Sequence, residues 1–477
     1  MQDQTHMTHA VNRPRRRART AFLTALSFFL LNLAAWQAPV HAEPVELRVV
    51  DELEVGRIFA GTSLAATVLT HGEHQYVVHY NADQQMTIAH RTLDSRQWAK
   101  RELPLNANWN NHRGITLAVD SEGLLHLSGN MHANPLVYWR STEPHAIDTL
   151  EEINRMVGEK EGRVTYGRFR ETPHGELTYW YRYGGSGNGQ RLVNVWDPQE
   201  QSWSRLLAEP LFDGLGEVNV YPSGPHRGPE GGFHYAFMWR VTPDAVTNHH
   251  ISYVWSKDLK NWKTVGGKIV DLPITRATRG VVVDPVPPGE GLINMGYGVG
   301  FDAENRPVIH YHNYDDNGNS QIYNARWEGN GWKIYQTSDW EWRWEFGGWG
   351  AIPSKVRAGA VQPTEDGYLS QPYSNERYGS GVWKLDPDTL QPVGELPPRG
   401  HQLPADLQYP QSDFTHEDGS AMQVRWASDL GESDEPGVRY YVRWETLPVN
   451  RDRPRRGKIP EPSTLMLYEL KEPAQGE

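Results

Sequence analysis

The chain has 477 residues, of which 38% are hydrophobic, with a formal net charge of −12 and no cysteine. This length is ample for a large core without disulfides, and the absence of thiols excludes a cysteine nucleophile and thiolate metal ligands. The acidic balance argues against nucleic acid as a partner, because nucleic acid requires a broad basic surface.

Residues 1–42 have the pattern of an export signal. A basic segment at residues 13–19 precedes an apolar run at residues 21–35 and the small-residue pattern Val40-His41-Ala42. This order is typical of a secretory signal peptide, so we predict a mature chain of residues 43–477 that is secreted or periplasmic. Removal of residues 1–42 takes away five Arg and one Asp and brings the net charge to about −16. No later stretch is long and apolar enough to span a bilayer, and we expect no membrane partner.

A polar turn followed by a short alternating run returns seven times along the rest of the chain. Seven repeats over about 435 residues give about 62 residues each, the size of a four-stranded propeller blade with its loops. The sequence therefore predicts an all-β fold, a seven-bladed β-propeller in a single domain, closed by a strand near residues 45–50 or 464–468; six or eight blades stay open. The only helix we predict covers residues 147–157. The seven turns lie at residues 71–72, 120–123, 173–175, 229–232, 302–306, 365–367 and 417–419.

Two histidines flank the second of these turns. The strand-like runs at residues 115–119 and 124–128 form a hairpin around it, and a hairpin returns its two ends to the same edge of a sheet. We therefore expect His112 and His132 to stand side by side. Such a pair suits proton transfer or anion binding near neutral pH, and the structural alternative is a pair of polar residues at a sheet edge.

The far ends of the strands that leave these turns should meet at one mouth of a propeller. Propeller ligands commonly bind at the axial opening, which makes this collar the expected site. Flat aromatic faces suit sugar rings, although packing between sheets explains most of the 19 Trp and 22 Tyr residues. The collar residues are Tyr80, His132, Tyr181, Arg182, Trp239, Arg240, His312, Tyr314, Tyr373 and Arg425.

Side chains of these types suit β-elimination from a uronic acid unit. A base removes the proton beside the carboxylate, donors stabilise the enolate-like charge, and an acid protonates the departing oxygen. Arg fits a carboxylate and also binds sulfate well. Glycoside hydrolysis would need a pair of carboxylates instead; Asp244 and the pair Asp315-Asp316 are available, but the collar itself is not acidic.

Four segments, at residues 111–112, 127–132, 181–189 and 239–253, resemble the BNR-repeat propellers that include secreted ulvan lyases and related rhamnosyl-glucuronate lyases. The resemblance covers about residues 50–351. It implies a seven-bladed enzyme that cleaves the bond between 3-sulfated rhamnose and a uronic acid by a His/Tyr β-elimination, leaving an unsaturated uronate end. The implied partner is an anionic sulfated polysaccharide, and we expect the protein to be a monomer.

The resemblance also implies roles for single residues. His112 matches the catalytic His, Tyr181 the catalytic Tyr with Tyr183 as its rival, and His132 the second His of the motif. The chemistry implied needs no cofactor. Some relatives carry a structural metal with Cys among its ligands, and because this chain has no Cys we assign no metal ligands and leave a structural calcium or zinc ion open. The implied substrate-binding residues are Asn111, Arg182, Tyr235, Arg240 and His249.

Three other functions remain open. A rhamnosidase-type glycoside hydrolase would use the same scaffold, and so would a non-catalytic carbohydrate-binding propeller. The segment at residues 256–262 resembles a degenerate Asp-box and points to a sialidase, but three placed arginines and a Tyr/Glu pair are not evident. The basic stretch at residues 451–456 is predicted to be a solvated linker.

Overall fold

The computed structural model describes residues 45–397, 401–431 and 433–473, and the predicted signal peptide lies outside them. Within these residues the chain forms strands and three short 3-10 helices, Ile147–Thr149, Ala245–Thr247 and Ala405–Leu407. Short runs rich in β-branched and aromatic residues, separated by polar turns with glycine, favour this outcome. None of the helices in the described part of the chain could cross a membrane. The prediction of an all-β fold is confirmed.

The strands are, in chain order, β1 (Val45–Glu46), β2 (Arg48–Ile58), β3 (Ala66–His71), β4 (His74–Tyr80), β5 (Gln85–Thr92), β6 (Ala99–Asn106), β7 (Ile115–Val119), β8 (Leu125–Gly129), β9 (His132–Asn134), β10 (Tyr138–Ser141), β11 (Leu150–Glu152), β12 (Val164–Glu171), β13 (Leu177–Gly185), β14 (Asn188–Asp197), β15 (Ser202–Arg205), β16 (Phe212–Asp213), β17 (Asn219–Arg227), β18 (Phe233–Arg240), β19 (Asn248–Ser256), β20 (Trp262–Lys263), β21 (Val282–Asp284), β22 (Gly298–Phe301), β23 (Pro307–Tyr314), β24 (Ser320–Trp327), β25 (Trp332–Gln336), β26 (Val356–Ala358), β27 (Gln362–Pro363), β28 (Leu369–Asn375), β29 (Gly379–Leu385), β30 (Pro392–Leu396), β31 (His401–Gln402), β32 (Gln423–Ser428), β33 (Val438–Thr446) and β34 (Ser463–Lys471).

Seven sheets of four or more strands are found in the described residues. Six of the predicted turns each connect two consecutive strands of the same sheet, as expected. The turn at residues 417–419 instead precedes β32, and residues 429–437 connect β32 to β33. The sheets comprise β3–β6 (sheet 1), β7, β8, β10 and β11 (sheet 2), β9 with β12–β16 (sheet 3), β17–β21 (sheet 4), β22–β25 (sheet 5), β26–β30 (sheet 6) and β32–β34 with β2 (sheet 7).

Both ends of the described chain contribute to sheet 7. Strand β2 lies antiparallel to β34, and β34 continues to β33 and β32. The two strands that the sequence offered as alternatives for closure therefore pair with each other. This pairing fixes the N-terminal strand against the C-terminal one, into which the loop after β33 leads.

The predicted helix at residues 147–157 is wrong. A single 3-10 turn is followed by β11, which pairs with β10, so this segment gains its backbone hydrogen bonds from a neighbouring strand. Beyond β11, the Glu161 carboxylate accepts hydrogen bonds from the backbone N–H groups of Met156 (3.1 Å) and Val157 (2.8 Å). The apolar spacing that indicated a helix instead buries Leu150 and Met156 separately, in two different core clusters.

The cores lie where neighbouring sheets face each other. One cluster joins Tyr76 and Ile88 of sheet 1 to Leu117 and Leu125 of sheet 2. Wide aromatic side chains fill such spaces well, and the largest fully buried ones include Trp180, a residue of sheet 3. Strand β9 makes a separate connection, since it leaves the hairpin of sheet 2 and pairs with β12 of sheet 3.

Candidate active site

The predicted pair of histidines forms one wall of a cleft. The rings of His112 and His132 are stacked, with centroids 4.3 Å apart and an interplanar angle of 15°. Asn110 supports both, because its Oδ1 accepts the backbone N–H of His112 (3.0 Å) and its Nδ2 lies 3.0 Å from Nδ1 of His132. The hairpin thus places the imidazoles side by side, as the sequence predicts.

Asp452, in the loop between β33 and β34, is the acidic neighbour of this pair. Its Oδ2 lies 2.9 Å from Nδ1 of His112, an ionic contact in which the ring N–H is not well aligned with the oxygen. Its Oδ1 accepts the backbone N–H of Asn111 at 3.1 Å. Burial alone would raise the pKa of Asp452, but the contact with His112 and the hydrogen bond from the Asn111 backbone N–H outweigh it and lower the pKa.

His132 is neutral near pH 7. Burial, with His112 and Arg182 nearby, lowers its pKa to about 4, and Asp452 opposes this only in part. An imidazole held neutral in this way accepts a proton or a hydrogen bond rather than binding an anion as a cation. Because Nδ2 of Asn110 donates to Nδ1, the neutral ring of His132 carries its proton on Nε2.

Tyr166 extends from β12 into the same cleft. It has a positive φ of 57°, rare for a tyrosine, within the register shift between Thr165 and Arg168. Its ring centroid lies 6.1 Å from that of His112, and the Arg182 guanidinium carbon lies 4.9 Å from the tyrosine ring. Burial raises the pKa of Tyr166 to about 12, although Arg182 and Arg240 oppose this. The hydroxyl is therefore protonated at neutral pH.

Arg240 and Tyr221 line the cleft from sheet 4. The Arg240 guanidinium carbon lies 4.1 Å from the Tyr221 ring centroid, and Nη1 donates to the Tyr221 hydroxyl at 3.1 Å. Nε donates to Oδ1 of Asn248 (2.8 Å), and Nη2 donates to Oδ1 of Asn294. These contacts with described residues use three of the five N–H groups of the guanidinium. The other two can donate to a ligand anion.

The cleft has a volume of about 490 Å³, enough for one or two sugar units. Among the described residues, the lining of the cleft contains one carboxylate, that of Asp452. It contains three guanidinium groups, those of Arg240, Arg451 and Arg453. An acidic protein therefore presents a locally basic surface at this place. The exposed indole of Trp349 also lines it.

Tyr181 lies away from this cleft, which corrects its predicted place beside His112. It is 1% exposed, and its hydroxyl donates to the Lys160 carbonyl oxygen (3.2 Å) and accepts from Nη1 of Arg205 (2.8 Å). Successive residues of a strand face opposite sides, so Tyr181 and Arg182 cannot both face one site. Arg182 is the one that reaches Tyr166, but it does so behind the ring and does not line the cleft as its predicted contact with substrate would require. The rival, Tyr183, packs on the same cluster as Tyr181.

Tyr235 and His249 are also placed elsewhere, which corrects their predicted contact with substrate. Tyr235 is fully buried, with its ring 5.5 Å from that of Trp262. His249 is 3% exposed, and its Nδ1 lies 2.7 Å from Nδ1 of His250. Asn111 braces the loop of His112 instead of lining the cleft, since its Nδ2 donates to Oγ1 of Thr62 at 3.1 Å.

The collar is only partly assembled. His132 and Arg240 line the cleft, whereas the hydroxyl of Tyr80 donates to the backbone of Arg113 (2.9 Å) below it. His312 is 1% exposed, and its Nδ1 lies 2.6 Å from the Gly291 carbonyl oxygen. The number of residues between a turn and a given residue therefore predicts the position of that residue along the strand. It does not predict the face of the sheet on which the side chain lies.

His112, His132 and Asp452 are also the residues that could hold a metal ion, because one ligand atom from each lies within 4.8 Å of the others. Two features fit a metal poorly. The rings are nearly parallel, so their lone pairs run side by side instead of converging on one point, and Nδ1 of His132 already contacts Asn110.

Sequence reasoning missed Tyr166, Tyr221 and Asp452. The available signal for Asp452 was weak: residues 450–453 form a polar turn between two strand-like runs, as other site loops do. The structure shows this stretch as part of the cleft, not as the predicted solvated linker. No local pattern marks Tyr166, because its exposure to the cleft depends on an irregular strand.

Seven antiparallel sheets of four or more strands, following one another along the described chain, are the architecture of the β-propeller class. The sequence matches the BNR repeat-containing family over residues 74–340, more than half of the chain, and the chain belongs to this family. The predicted kinship with BNR-repeat propellers is confirmed. No curated protein matches the chain.

Solved structures of similar fold include polysaccharide lyases. Polysaccharide lyase Uly1 is 12% identical, with a TM-score of 0.56 over 89% of this chain and 99% of that chain. The PL25 ulvan lyase is 15% identical, with a TM-score of 0.55 over 88% and 96%. The PL25 ulvan lyase bound to -[GlcA(1-4)Rha3S]- is 14% identical, with a TM-score of 0.54 over 88% and 96%. At these identities the likeness shows the shared fold.

Proposed function

We propose that the protein is a polysaccharide lyase that cleaves a uronic-acid-containing polysaccharide by β-elimination, on a propeller whose blades are the seven large sheets. One observation carries this proposal: among the described residues, the cleft combines two imidazoles, two tyrosines and three guanidinium groups with a single carboxylate. That carboxylate contacts His112, which makes it a partner of the base and not an independent acid.

His112 is the proposed base. A carboxylate 2.9 Å from Nδ1 favours the tautomer with the proton on Nδ1, which leaves the Nε2 lone pair free to remove the proton from the carbon beside the uronate carboxylate. Neutral His132, stacked on this ring, adds no positive charge that would oppose protonation of His112.

Tyr166 is the proposed acid, and Arg240 the carboxylate-binding group. The removed proton leaves its electron pair to form the carbon–carbon double bond, the bond to the glycosidic oxygen breaks, and the Tyr166 hydroxyl protonates that oxygen. The free N–H groups of Arg240 stabilise the negative charge that develops on the carboxylate. Arg182, behind the Tyr166 ring, stabilises the phenolate that remains.

The alternatives fit the cleft less well. Glycosidases generally use two carboxyl groups about 5–10 Å apart, and the described lining contains one. Asp244, the other carboxylate near the cleft, caps a 3-10 turn and accepts the backbone N–H of Gly348 at 2.7 Å. A binding-only propeller would not need an imidazole paired with a carboxylate beside a protonated tyrosine.

The proposed substrate is an ulvan-type polysaccharide in which 3-sulfated rhamnose alternates with a uronic acid, cleaved outside the cytoplasm after export. The cleft guanidiniums suit a polyanion, and one solved protein of similar fold is bound to -[GlcA(1-4)Rha3S]-. The predicted signal peptide agrees with an extracellular polymer as substrate.

Incubation of the mature chain with a panel of uronate polysaccharides tests this proposal. A lyase creates an unsaturated uronate, which raises the ultraviolet absorbance and gives products lighter by one water than hydrolysis products. We expect Tyr166→Phe to lower kcat by at least about a hundredfold, on the scale of a lost general acid. Tyr181→Phe is the matched control, because it removes a hydroxyl outside the cleft, and it should keep kcat within about threefold.

Two results would contradict the proposal. Release of reducing ends without new absorbance would identify a hydrolase. Loss of activity in Tyr181→Phe but not in Tyr166→Phe would mean that the chemistry takes place elsewhere.

A further inference from the structure

Trp349 is an exposed indole in a loop that is firmly held. Its side chain is 67% exposed, whereas Trp340 and Trp344 of the same aromatic run are 7% and 2% exposed. Leaving so large an apolar surface in water forgoes the stabilisation that its neighbours gain by burial. A residue left out of the core in this way is suited to a ligand that covers it.

The backbone around Trp349 is fixed from two sides. Nη1 of Arg451 donates to the carbonyl oxygens of Gly347 (3.1 Å) and Trp349 (3.2 Å). Asp244 accepts the backbone N–H of Gly348 at 2.7 Å. Gly350 has a φ of 81°, and a Cβ there would lie 2.9 Å from the Arg451 carbonyl oxygen. The loop backbone from which the indole extends is therefore held in a set position.

The same loop from sheet 7 serves the proposed base and the indole. Arg451 holds the backbone of Trp349, and the next residue, Asp452, contacts His112. Trp349, Tyr166 and His112 all line one cleft of about 490 Å³. A sugar unit covering the indole would thus be close to a unit at the reacting groups.

We propose that Trp349 is the stacking platform for the pyranose ring next to the uronate that reacts, and so a specificity-determining residue. This inference rests on the proposed function. The flat indole packs against the C–H face of a sugar ring, while Arg451 and Arg453, which line the same cleft, suit an anionic substituent on that ring. Trp349 binds and orients this unit and takes no part in proton transfer.

The experiment compares Trp349→Ala, Trp349→Phe and Tyr409→Ala. Tyr409 is the control because it is also an exposed aromatic residue, 73% exposed, and does not line the cleft. We expect Trp349→Ala to raise KM about tenfold with kcat within about twofold, the scale of one lost aromatic contact with its buried area. Trp349→Phe should recover most of the loss, and Tyr409→Ala should match the wild type.

Binding is measured separately from turnover. Ulvan oligosaccharides are titrated into Tyr166→Phe and into the double variant Tyr166→Phe/Trp349→Ala, with calorimetry giving Kd and tryptophan fluorescence giving the signal of the platform. Kd should rise about tenfold in the double variant, and the ligand-induced fluorescence change should shrink.

The outcomes separate the two proposals. If the wild type forms unsaturated product and Trp349→Ala keeps KM and Kd within about twofold, the platform is refuted and the lyase stands. If the protein binds oligosaccharides without cleaving them, the lyase proposal is refuted. The role of Trp349 is then tested by the change in Kd alone. If the wild type neither binds nor cleaves any polysaccharide of the panel, both are overturned.

Discussion

The contact between Asp452 and His112 makes a quantitative prediction for Asp452→Asn. The substitution keeps the shape of the side chain and an oxygen that can accept the backbone N–H of Asn111, but it removes the charge next to the imidazole. In the proposed mechanism this charge stabilises the imidazolium that forms when His112 takes the proton. The variant should therefore fold and bind substrate but have a lower kcat.

The magnitude follows from the distance. Two unit charges 2.9 Å apart interact by about 6 kcal/mol at an effective dielectric constant of about 20. The side chains are 21% and 12% exposed, and the transition state carries only part of the imidazolium charge. Half a charge, with an effective dielectric constant between about 20 and 40, leaves about 1.5–3 kcal/mol, which corresponds to a fall in kcat of about 10–100-fold.

The assay is the steady-state rise in ultraviolet absorbance on the best polysaccharide substrate. Asp120→Asn is the matched control, because Oδ2 of Asp120 lies 3.1 Å from Nε2 of His126 in a second, fully buried pair outside the cleft. It should lose about 1–3 kcal/mol of folding free energy and keep its kcat. A kcat of Asp452→Asn within about twofold of the wild type would refute the role given to this carboxylate.

Three further predictions concern other parts of the structure. Burial, with His74 and His145 nearby, lowers the pKa of His90 to about 4, so the fold favours the neutral ring; its contribution to stability is full above about pH 6.5 and is lost as the pH falls towards 4. Urea unfolding at pH 7 and pH 5 should therefore show a smaller acid-induced loss for His90→Phe than for the wild type. Gly350→Ala should cost about 1–2 kcal/mol, because of its positive φ and the close Arg451 backbone, and should raise KM by displacing Trp349, as urea unfolding and kinetics would show. Arg240→Lys keeps the charge but loses the two-pronged donor, so KM should rise about tenfold; an unchanged KM would exclude Arg240 as the carboxylate-binding group.

The part of the site that lies close together in sequence could be predicted. His112 and His132 are separated by one hairpin, and turn chemistry with alternating strands is enough to place its two ends at one edge. The all-β class follows in the same way, since short apolar runs between glycine turns leave little room for helices. These features depend on local rules that do not require knowledge of which sheets face each other.

Tyr166 shows where such rules stop. The alternation in β13 presents either Tyr181 or Arg182 to the cleft, and the sequence gives no sign of which one. In the structure neither lines the cleft: Arg182 lies behind the Tyr166 ring, and the tyrosine of the cleft comes from β12, through a bulge in which Tyr166 has a positive φ. A regular strand would place this side chain differently. The positive φ of Tyr166 costs conformational energy, and surrounding contacts such as that with Arg182 offset this cost.

Asp452 could not be predicted because its position depends on the pairing of the chain ends. The contact between Asn111 and Asp452 joins residues 341 positions apart, and the loop of Asp452 leads from β33 into β34, the strand that pairs with β2. The same loop holds Trp349 through Arg451. The proposed base and platform therefore depend on one closure of the fold, so a change that loosens the pairing of β2 with β34 should impair catalysis and sugar binding together, even though neither strand contributes a side chain to the described lining of the cleft.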